Sequence, residues 1–414
     1  MMRRALQNTG WLMGARGINA VLSLVYLALA TRALGLEGFG QFVIAFTFAQ
    51  LVVGFTSFQT WQAVVRWGQT AEDRGTATGF ALALDALTIV TGTVAAALIL
   101  WLAGDWLPIA PDLRMPTFLF TLVSLLAIRS TPTGLLRVHD KYARAAAADS
   151  TTSVMRAAGA GVVAVFAPNI TAFLVVWGIA EIATAAMYWW MAGQTERIDW
   201  RRFSLSRLPR EAGAEQDGKA WSFVIGTSLS GMLTIASRQL LVLLVGAFGG
   251  AALAGIYRVA AQLGEGLLKL AQALLRAVYP ELVRDPENAR LLAAKMTRIA
   301  IVTGAVVIGF GLVAGEWIII AIAGSAFLAA YWPMIILAAA AALELSGASL
   351  EALLLAHGRA ITNFLLRGIP TAIGLLALPW LVDALGAAGA ALVVLGTSVL
   401  TVTGLVFVSR RPRD

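Results

Sequence analysis

Long apolar segments recur along the whole chain, with short polar stretches between them. At a rise of about 1.5 Å per residue, each is long enough to cross a hydrocarbon core of ~30 Å as a helix. Lipid offers backbone groups no hydrogen-bond partner, so these spans are predicted to be helical. The twelve predicted spans are approximately 11–32, 40–62, 79–103, 116–137, 145–167, 170–191, 221–246, 252–279, 293–314, 331–356, 361–381 and 387–408. The pattern predicts an all-α polytopic membrane protein.

The first and seventh predicted spans begin two similar stretches. Residues 11–42 contain an apolar helix that carries one arginine within its span, Arg16, and that is closed by a Gly-rich corner at 34–42; a weaker copy starts at Trp221. A shift of 215 residues places Gly35 on Gly250 and Gly40 on Gly255. This similarity predicts a duplication, with two pseudo-symmetric six-helix bundles around a central cavity. The predicted domains are 1–192, a cytoplasmic linker at 193–220, and 221–414.

Composition and charge support this interpretation. Hydrophobic residues make up 59% of the chain and charged residues only 13%, with a mean hydropathy of +0.79, so much of the surface must face lipid. The predicted inner loops hold nineteen Lys or Arg side chains, whereas the outer loops hold only Arg32 and Arg114. This alternation places both termini in the cytoplasm. It also explains the net charge of +8 by membrane orientation, without a nucleic-acid partner.

Several kinds of chemistry have no supporting motif. The chain has no cysteine and only two histidines, which are far apart, so we expect no metal site and no cofactor. A Gly-x-x-x-x-Gly-Lys-Ser/Thr phosphate loop is absent, and so is a Gly-x-Ser-x-Gly nucleophile elbow. The sequence therefore indicates that the chain is not an enzyme.

Ionisable residues inside the predicted spans are the candidate functional groups, because charges at membrane depth are costly and tend to mark a pathway. Such arginines could line a cationic cavity and grip phosphate through paired N–H groups, or each could pair with an acid and hold helices together. The arginines are Arg16, Arg129, Arg156, Arg238 and Arg258. The acids, as ion-coupling or salt-bridge candidates, are Asp85, Glu181, Glu265 and Glu344.

The acids differ in what we expect of them. A buried carboxylate can bind a proton or a cation, and it can equally form a salt bridge. For Glu181 a bridge to Arg129 or Arg156 is favoured, whereas Glu344 stays open between the two roles. Glu265 precedes Lys269 by four residues, the order in which a helical ion pair neutralises both charges.

Three stretches carry a family resemblance. They are Thr-Arg-Ala-Leu-Gly-Leu-Glu-Gly-Phe-Gly at 31–40, Gly-Gly-Ala-Ala-Leu-Ala-Gly-Ile-Tyr-Arg-Val-Ala at 249–260 with Tyr-Pro-Glu-Leu at 279–282, and Leu-Leu-Leu-Ala-His-Gly-Arg at 353–359. They resemble bacterial polysaccharide-biosynthesis flippases of the multidrug/oligosaccharidyl-lipid/polysaccharide exporter superfamily. The resemblance implies two bundles arranged as a V that move undecaprenyl-diphosphate-linked oligosaccharide across the inner membrane by alternating access.

The resemblance also implies partners and leaves alternatives. The expected partners are the lipid-linked glycan, membrane lipids and a coupling ion, proton or sodium, with the protein acting as a monomer. Arg16 and Arg238, on the first helices of the two halves, match the cationic cavity residues that engage the diphosphate in such flippases. A cation-coupled multidrug exporter is the first alternative. That branch of the superfamily has an acid in helix one, whereas this chain has an arginine there. A glycan polymerase or ligase is the second, although the outer loops are short.

Overall fold

The described part of the chain is almost entirely helical. The structure, a computed structural model, describes residues 2–206, 219–282, 289–356 and 360–410. Apart from four short 3-10 turns, the secondary structure of these residues is α-helix, which confirms the all-α prediction. The helices are α1 (Met2–Thr56), α2 (Thr60–Trp67), α3 (Ala71–Leu102), α4 (Arg114–Leu126), α5 (Ser130–Val138), α6 (Tyr142–Phe166), α7 (Ile170–Thr195), α8 (Lys219–Leu282), α9 (Ala289–Ile322), α10 (Tyr331–Ala356), α11 (Ala360–Leu385) and α12 (Ala387–Arg410).

Two of these helices are long enough to cross a membrane twice. Helix α1 has 55 residues and α8 has 64, and each is bent at one glycine into two helices. By length and composition alone, nine stretches of the described residues could span a membrane. One of these stretches, 17–67, contains both parts of the bent helix α1 together with α2, and α6 is not among the nine because it carries charged residues. Divided at the bends, the described helices agree approximately with the twelve predicted spans.

The two bends are equivalent glycine corners. Gly35 has φ 67° and ψ −172°, and Gly250 has φ 81° and ψ 172°. Only glycine adopts this backbone conformation without strain, which explains why both corners carry it. The matching dihedral angles, at the predicted offset, confirm the duplicated corner. Close packing accounts for a third glycine, because a Cβ on Gly40 would lie 1.9 Å from the carbonyl oxygen of Ala251.

Two of the predicted spans are interrupted in the structure, whereas the sequence predicts only a bend at Pro132. The second span breaks at residues 57–59, between α1 and α2, and the fourth breaks at 127–129, between α4 and α5. Pro132 lies in the first turn of α5 and has no N–H to donate to Ile128 O. That carbonyl instead accepts a hydrogen bond of 3.0 Å from Trp189 Nε1. At the other break, Thr88 Oγ1 donates to Thr56 O over 3.2 Å. Side chains thus satisfy backbone groups that lipid would leave unpaired.

Close packing divides the chain into two compact units. The first contains Met1–Leu34 and Gln41–Leu243, and the second contains Gly35–Gly40 and Leu244–Asp414. These units group residues by proximity, whereas the predicted domains 1–192 and 221–414 mark a sequence repeat. The predicted domains, their arrangement as a V and the central cavity therefore stay predictions. Most of the predicted linker, 207–218, lies outside the described residues.

The start of α8 packs inside the first unit. Ala220 and Val224 are buried in one cluster with Trp67 and Phe80, from α2 and α3. Phe223 meets Trp67 edge-on, with ring centroids 5.3 Å apart. Aromatic contacts of this kind add to the apolar area that is buried. The first 25 residues of α8 thus belong by packing to the bundle that precedes them in the chain.

Candidate functional site

A polar seam joins α6 and α7 in the first unit. Tyr188 Oη donates to Asp149 Oδ1 over 2.8 Å, and the hydroxyls of Thr152 and Thr184 lie 2.7 Å apart. At the far end, Arg156 Nη2 donates to Glu181 Oε1 over 2.7 Å. The partners ascend one helix while they descend the other, about one turn at a time, as an antiparallel pair requires.

A second arginine completes a charged triad at the end of this seam. Arg129 Nη1 donates to Glu181 Oε2 over 2.8 Å, so each oxygen of the carboxylate receives one guanidinium group. Arg129 lies at the break between α4 and α5, where it is the N-cap residue of α5. The structure therefore contains the salt bridge favoured for Glu181 and extends it to both arginines.

The triad carries more positive than negative charge, and its two arginines differ in exposure. The side chains of Glu181 and Arg156 are 8% and 11% exposed, whereas Arg129 is 35% exposed. The Arg156 guanidinium also lies 5.2 Å from the ring centroid of Phe46 and 5.5 Å from that of Trp177, within cation–π range. Arg156 is thereby enclosed, while Arg129 keeps N–H groups that a ligand can reach.

The next nearest acid on this helix pair is Asp149. Asp149 and Arg156 are seven residues apart on α6, which separates them by about 10.5 Å along the helix axis. Its carboxylate is bound by a tyrosine hydroxyl and does not touch the triad arginines. Among the described residues, the charged groups in contact at the triad are thus two cations and one anion.

Asp85 forms a separate polar centre in the same unit. It lies on α3, is 5% exposed, and accepts hydrogen bonds from Thr60 Oγ1 at 2.8 Å and Thr131 Oγ1 at 2.5 Å. Thr60 begins α2 and Thr131 is the second residue of α5. Both short helices follow a span interruption, so one carboxylate contacts the starts of two broken helices.

The remaining predicted site residues are either in the second unit or outside the described side chains. Ser398 Oγ donates to Glu344 Oε1 over 3.0 Å, and the Glu344 residue is otherwise exposed. Arg258 is half-buried on α8. The side chains of Arg16, Arg238 and Glu265 lie outside the described part of the structure. The structure thus brings together two of the five arginines, and one cavity lined by all five stays a prediction.

The hydroxyl groups that bind these acids were not predicted from the sequence. Thr60 and Thr131 were not singled out, because polar uncharged residues are common in membrane helices. From the sequence, Tyr188 is predicted to be a membrane-interface anchor together with Trp189 and Trp190, whereas the structure buries it to 3% exposure against Asp149. The seam could have been predicted from the residue numbers of its members. When two adjacent helices are antiparallel, the numbers of two facing residues add up to a nearly constant sum. That sum is almost the same for all three pairs of the seam. In the described ranges no group of three or more His, Cys, Asp or Glu residues is placed to hold a metal ion.

Comparison with known proteins gives the family and the fold. The chain matches the polysaccharide biosynthesis protein family over residues 5–284. Inner membrane protein YghQ of Escherichia coli (strain K12) is 30% identical over 344 residues, which cover 80% of this chain and 95% of that protein. Among solved structures, the lipid II flippase MurJ in an inward closed conformation has a TM-score of 0.73 at 14% identity, covering 97% of this chain and 87% of that one.

The fold is also that of multidrug transporters. An inward-facing MATE family transporter of the MOP superfamily has a TM-score of 0.69 at 16% identity, covering 93% of each chain. Structures with this fold include both inward-facing and outward-facing conformations of such transporters. These neighbours are flippases and transporters. The chain is a multi-pass membrane protein of the polysaccharide biosynthesis protein family and has the fold of the MOP superfamily transporters.

Proposed function

We propose that this protein is a flippase that moves undecaprenyl-diphosphate-linked oligosaccharide across the inner membrane by alternating access, for the synthesis of a cell-surface polysaccharide. The observation that carries the proposal is the triad, in which Arg129 and Arg156 share the single carboxylate of Glu181. Among the described residues, this arrangement leaves one positive charge without a counterion in direct contact. An anionic substrate group can supply that counterion.

The chemistry of the triad fits a diphosphate. A guanidinium group has five N–H donors and binds phosphate oxygens in pairs. The Arg129 side chain donates one nitrogen to Glu181 and is 35% exposed, and its other N–H groups have no partner among the described side chains, so they can bind a ligand. Arg156 is enclosed by Phe46, Trp177 and Glu181, and it contributes charge instead of a direct contact. Arg129 is therefore the proposed substrate-contacting residue of the triad.

The comparisons support the same class of substrate. The family is named for polysaccharide biosynthesis, and MurJ, whose fold this chain shares, is a flippase of lipid II. YghQ is an inner membrane protein, which supports the same location here. Cytoplasmic termini, a proton or sodium ion as coupling ion, and action as a monomer belong to the proposal as predictions from the sequence.

A cation-coupled multidrug exporter is the second candidate, because MATE family transporters share the fold. The excess positive charge of the triad opposes it, since a cationic drug beside Arg129 would meet repulsion in a poorly screened environment. This candidate predicts transport of cationic dyes that does not depend on Arg129.

The test is a leaflet-exchange assay in proteoliposomes. Wild-type protein should move fluorescent undecaprenyl-diphosphate oligosaccharide between leaflets, and Arg129→Gln should reduce the rate by at least about tenfold, which is the value of one charge-assisted hydrogen bond. The matched control is Arg144→Gln, which removes an exposed arginine at the start of α6 whose bond goes to Thr195. That variant should exchange lipid at the wild-type rate.

Two results would contradict the proposal. Wild-type protein that leaves the diphosphate lipid in place but exports a cationic dye would favour the drug exporter. Equal exchange by Arg129→Gln and wild type would remove the triad from the substrate site. Replacing the diphosphate by a monophosphate lipid should slow exchange in wild type, because fewer oxygens remain for the guanidinium group.

A further inference from the structure

The two span interruptions in the first unit are tied to one another. The backbone N–H of Trp61, in α2, donates to Ser130 Oγ, in α5, over 3.1 Å. Beside this bond, Asp85 accepts from Thr60 at one break and from Thr131 at the other. The helices that follow the breaks therefore begin at a shared polar junction instead of independently.

Arg129 lies inside this junction through its backbone. Its carbonyl oxygen accepts from Thr133 N at 3.1 Å and Thr133 Oγ1 at 2.6 Å. The preceding carbonyl, of Ile128, is bound by the Trp189 side chain. Residues 130 and 131 are held by the bonds to Trp61 and Asp85. Hydrogen bonds thus restrain four consecutive residues around the break, while the Arg129 side chain extends to Glu181.

No cationic side chain of the described residues forms a salt bridge with Asp85. The nearby arginines of the elements packed on it have other partners: Arg66 of α2 lies over the Phe223 ring at 4.5 Å, and Arg137 of α5 lies over the Trp61 ring at 4.0 Å. Arg129 itself is bonded to Glu181. Asp85 is absent from the salt bridges of the described residues, so its bonds are those to the two threonines.

Helix electrostatics explains why a lone carboxylate is placed here. The first turns of α2 and α5 both carry the partial positive charge of a helix N-terminus, and both contain a threonine that Asp85 contacts. Asp85 thereby occupies the position that an anionic ligand would take at a broken membrane helix. The accessible cationic group at the second break is then the Arg129 side chain, 35% exposed.

We infer that Asp85 is a positioning residue, which acts through Thr131 to hold Arg129 at the triad with Glu181 and Arg156. This inference rests on the proposed function only for the identity of the substrate that Arg129 contacts. Asp85 does not touch the substrate. It fixes the start of α5, and the start of α5 fixes where the Arg129 guanidinium can reach.

The test measures the Arg129–Glu181 coupling directly, apart from transport. A double-mutant cycle of Arg129→Gln and Glu181→Gln, measured by unfolding in mixed micelles, gives the coupling free energy between these two residues. The cycle can be repeated in a protein that carries a further substitution, and the coupling free energy is then compared with that of the wild type. The coupling should be retained in Asp85→Asn, because the amide oxygen can accept from Thr60 while the amide N–H donates to Thr131. The coupling should be lost in Thr131→Val, which keeps the shape of the side chain and removes its hydroxyl, and retained in Thr131→Ser.

Thr60→Val is the matched control, since it removes the same kind of hydroxyl bond to Asp85 at the other break. Loss of coupling in Thr131→Val, with retention in Thr60→Val and Thr131→Ser, supports the inference. Unchanged coupling in Thr131→Val overturns it, and equal loss in Thr60→Val overturns it as well, because the effect would then be a general loosening of the core.

Leaflet exchange separates this inference from the proposed function. Diphosphate-lipid exchange should fall in Thr131→Val and persist in Thr131→Ser, in step with the coupling. If the coupling follows the pattern above but wild-type protein moves no diphosphate lipid, the positioning role stands and the proposed substrate fails. If wild type moves the lipid and Thr131→Val leaves the coupling unchanged, the proposed function stands and the positioning role fails.

Discussion

Replacing Glu181 by glutamine isolates the charge of the triad, because the side chain keeps its size and one acceptor oxygen. Arg129 and Arg156 would then both lose the carboxylate with which they form their salt bridges. Removing one partner of a buried ion pair costs about 3–5 kcal/mol in soluble proteins, since the remaining charge is left uncompensated. Glu181 and Arg156 are 8% and 11% exposed, so that range applies to them with little screening. We expect Glu181→Gln to lower the free energy of unfolding by about 3 kcal/mol or more.

The two arginine variants should cost less and in a definite order. In Arg156→Gln the carboxylate keeps Arg129, and we expect a loss of about 1–2 kcal/mol from the missing charged hydrogen bond and the ring contacts. In Arg129→Gln the carboxylate keeps the buried Arg156, and solvent screens a side chain that is 35% exposed. A loss of about 1 kcal/mol or less is expected there.

Denaturant titration in mixed micelles measures these three values. The control is Glu196→Gln, an acid at the end of α7 that pairs with Arg74 at 3.2 Å and is 26% exposed. It should cost under about 1 kcal/mol. The double variant Glu181→Gln/Arg156→Gln should be more stable than Glu181→Gln alone, because it leaves one unpaired arginine instead of two. A double variant less stable than the single one, or Glu181→Gln as mild as Glu196→Gln, would refute the assignment of a desolvated triad.

Three other predictions concern packing and single hydrogen bonds, each measured by the same titration. Gly40→Ala should yield little folded protein, because its Cβ would lie 1.9 Å from a carbonyl oxygen; normal yield and stability would contradict that contact. Thr152→Val should cost about 1 kcal/mol, and adding Thr184→Val should cost less than Thr184→Val does alone, because the two hydroxyls share one bond while Thr184 also donates to Ala180 O; fully additive losses would contradict the shared bond. Ser398→Ala should cost under about 1 kcal/mol, because Glu344 is exposed to solvent; a larger loss would show that the carboxylate is desolvated.

The architecture was predictable because a membrane restricts the chain severely. Backbone groups in lipid must be paired within a helix, so hydropathy and length together locate the spans. The equivalence of Gly35 and Gly250 was also visible, because a left-handed corner requires glycine and leaves a mark in the sequence. The spans and the glycine corners are properties of single segments, so they can be predicted without knowing which helices pack against them.

The site was predictable in its charged members and not in its connections. Arg129, Arg156 and Glu181 stood out because charges are rare at membrane depth. The interruptions at 57–59 and 127–129 did not, because an apolar helix can break wherever side chains from other helices satisfy the freed backbone groups. Pro132 alone does not specify a break, since its neighbours decide whether the helix bends or ends. Partners such as Trp189 are known only once the helices are packed.

Residues 35–40 and the start of α8 each pack with the compact unit on the other side of the chain's midpoint. Each compact unit therefore contains residues from both halves of the sequence. Cutting the chain at the polar segment between α7 and α8 would divide both units. A fragment ending near residue 206 would lack Trp221 and Phe223, whose rings pack on Phe80 and Trp67. A fragment starting at residue 219 would lack the chain that fills the space beside Ala251. The two halves should therefore be unstable when expressed alone and should recover stability when co-expressed, as in split-protein complementation.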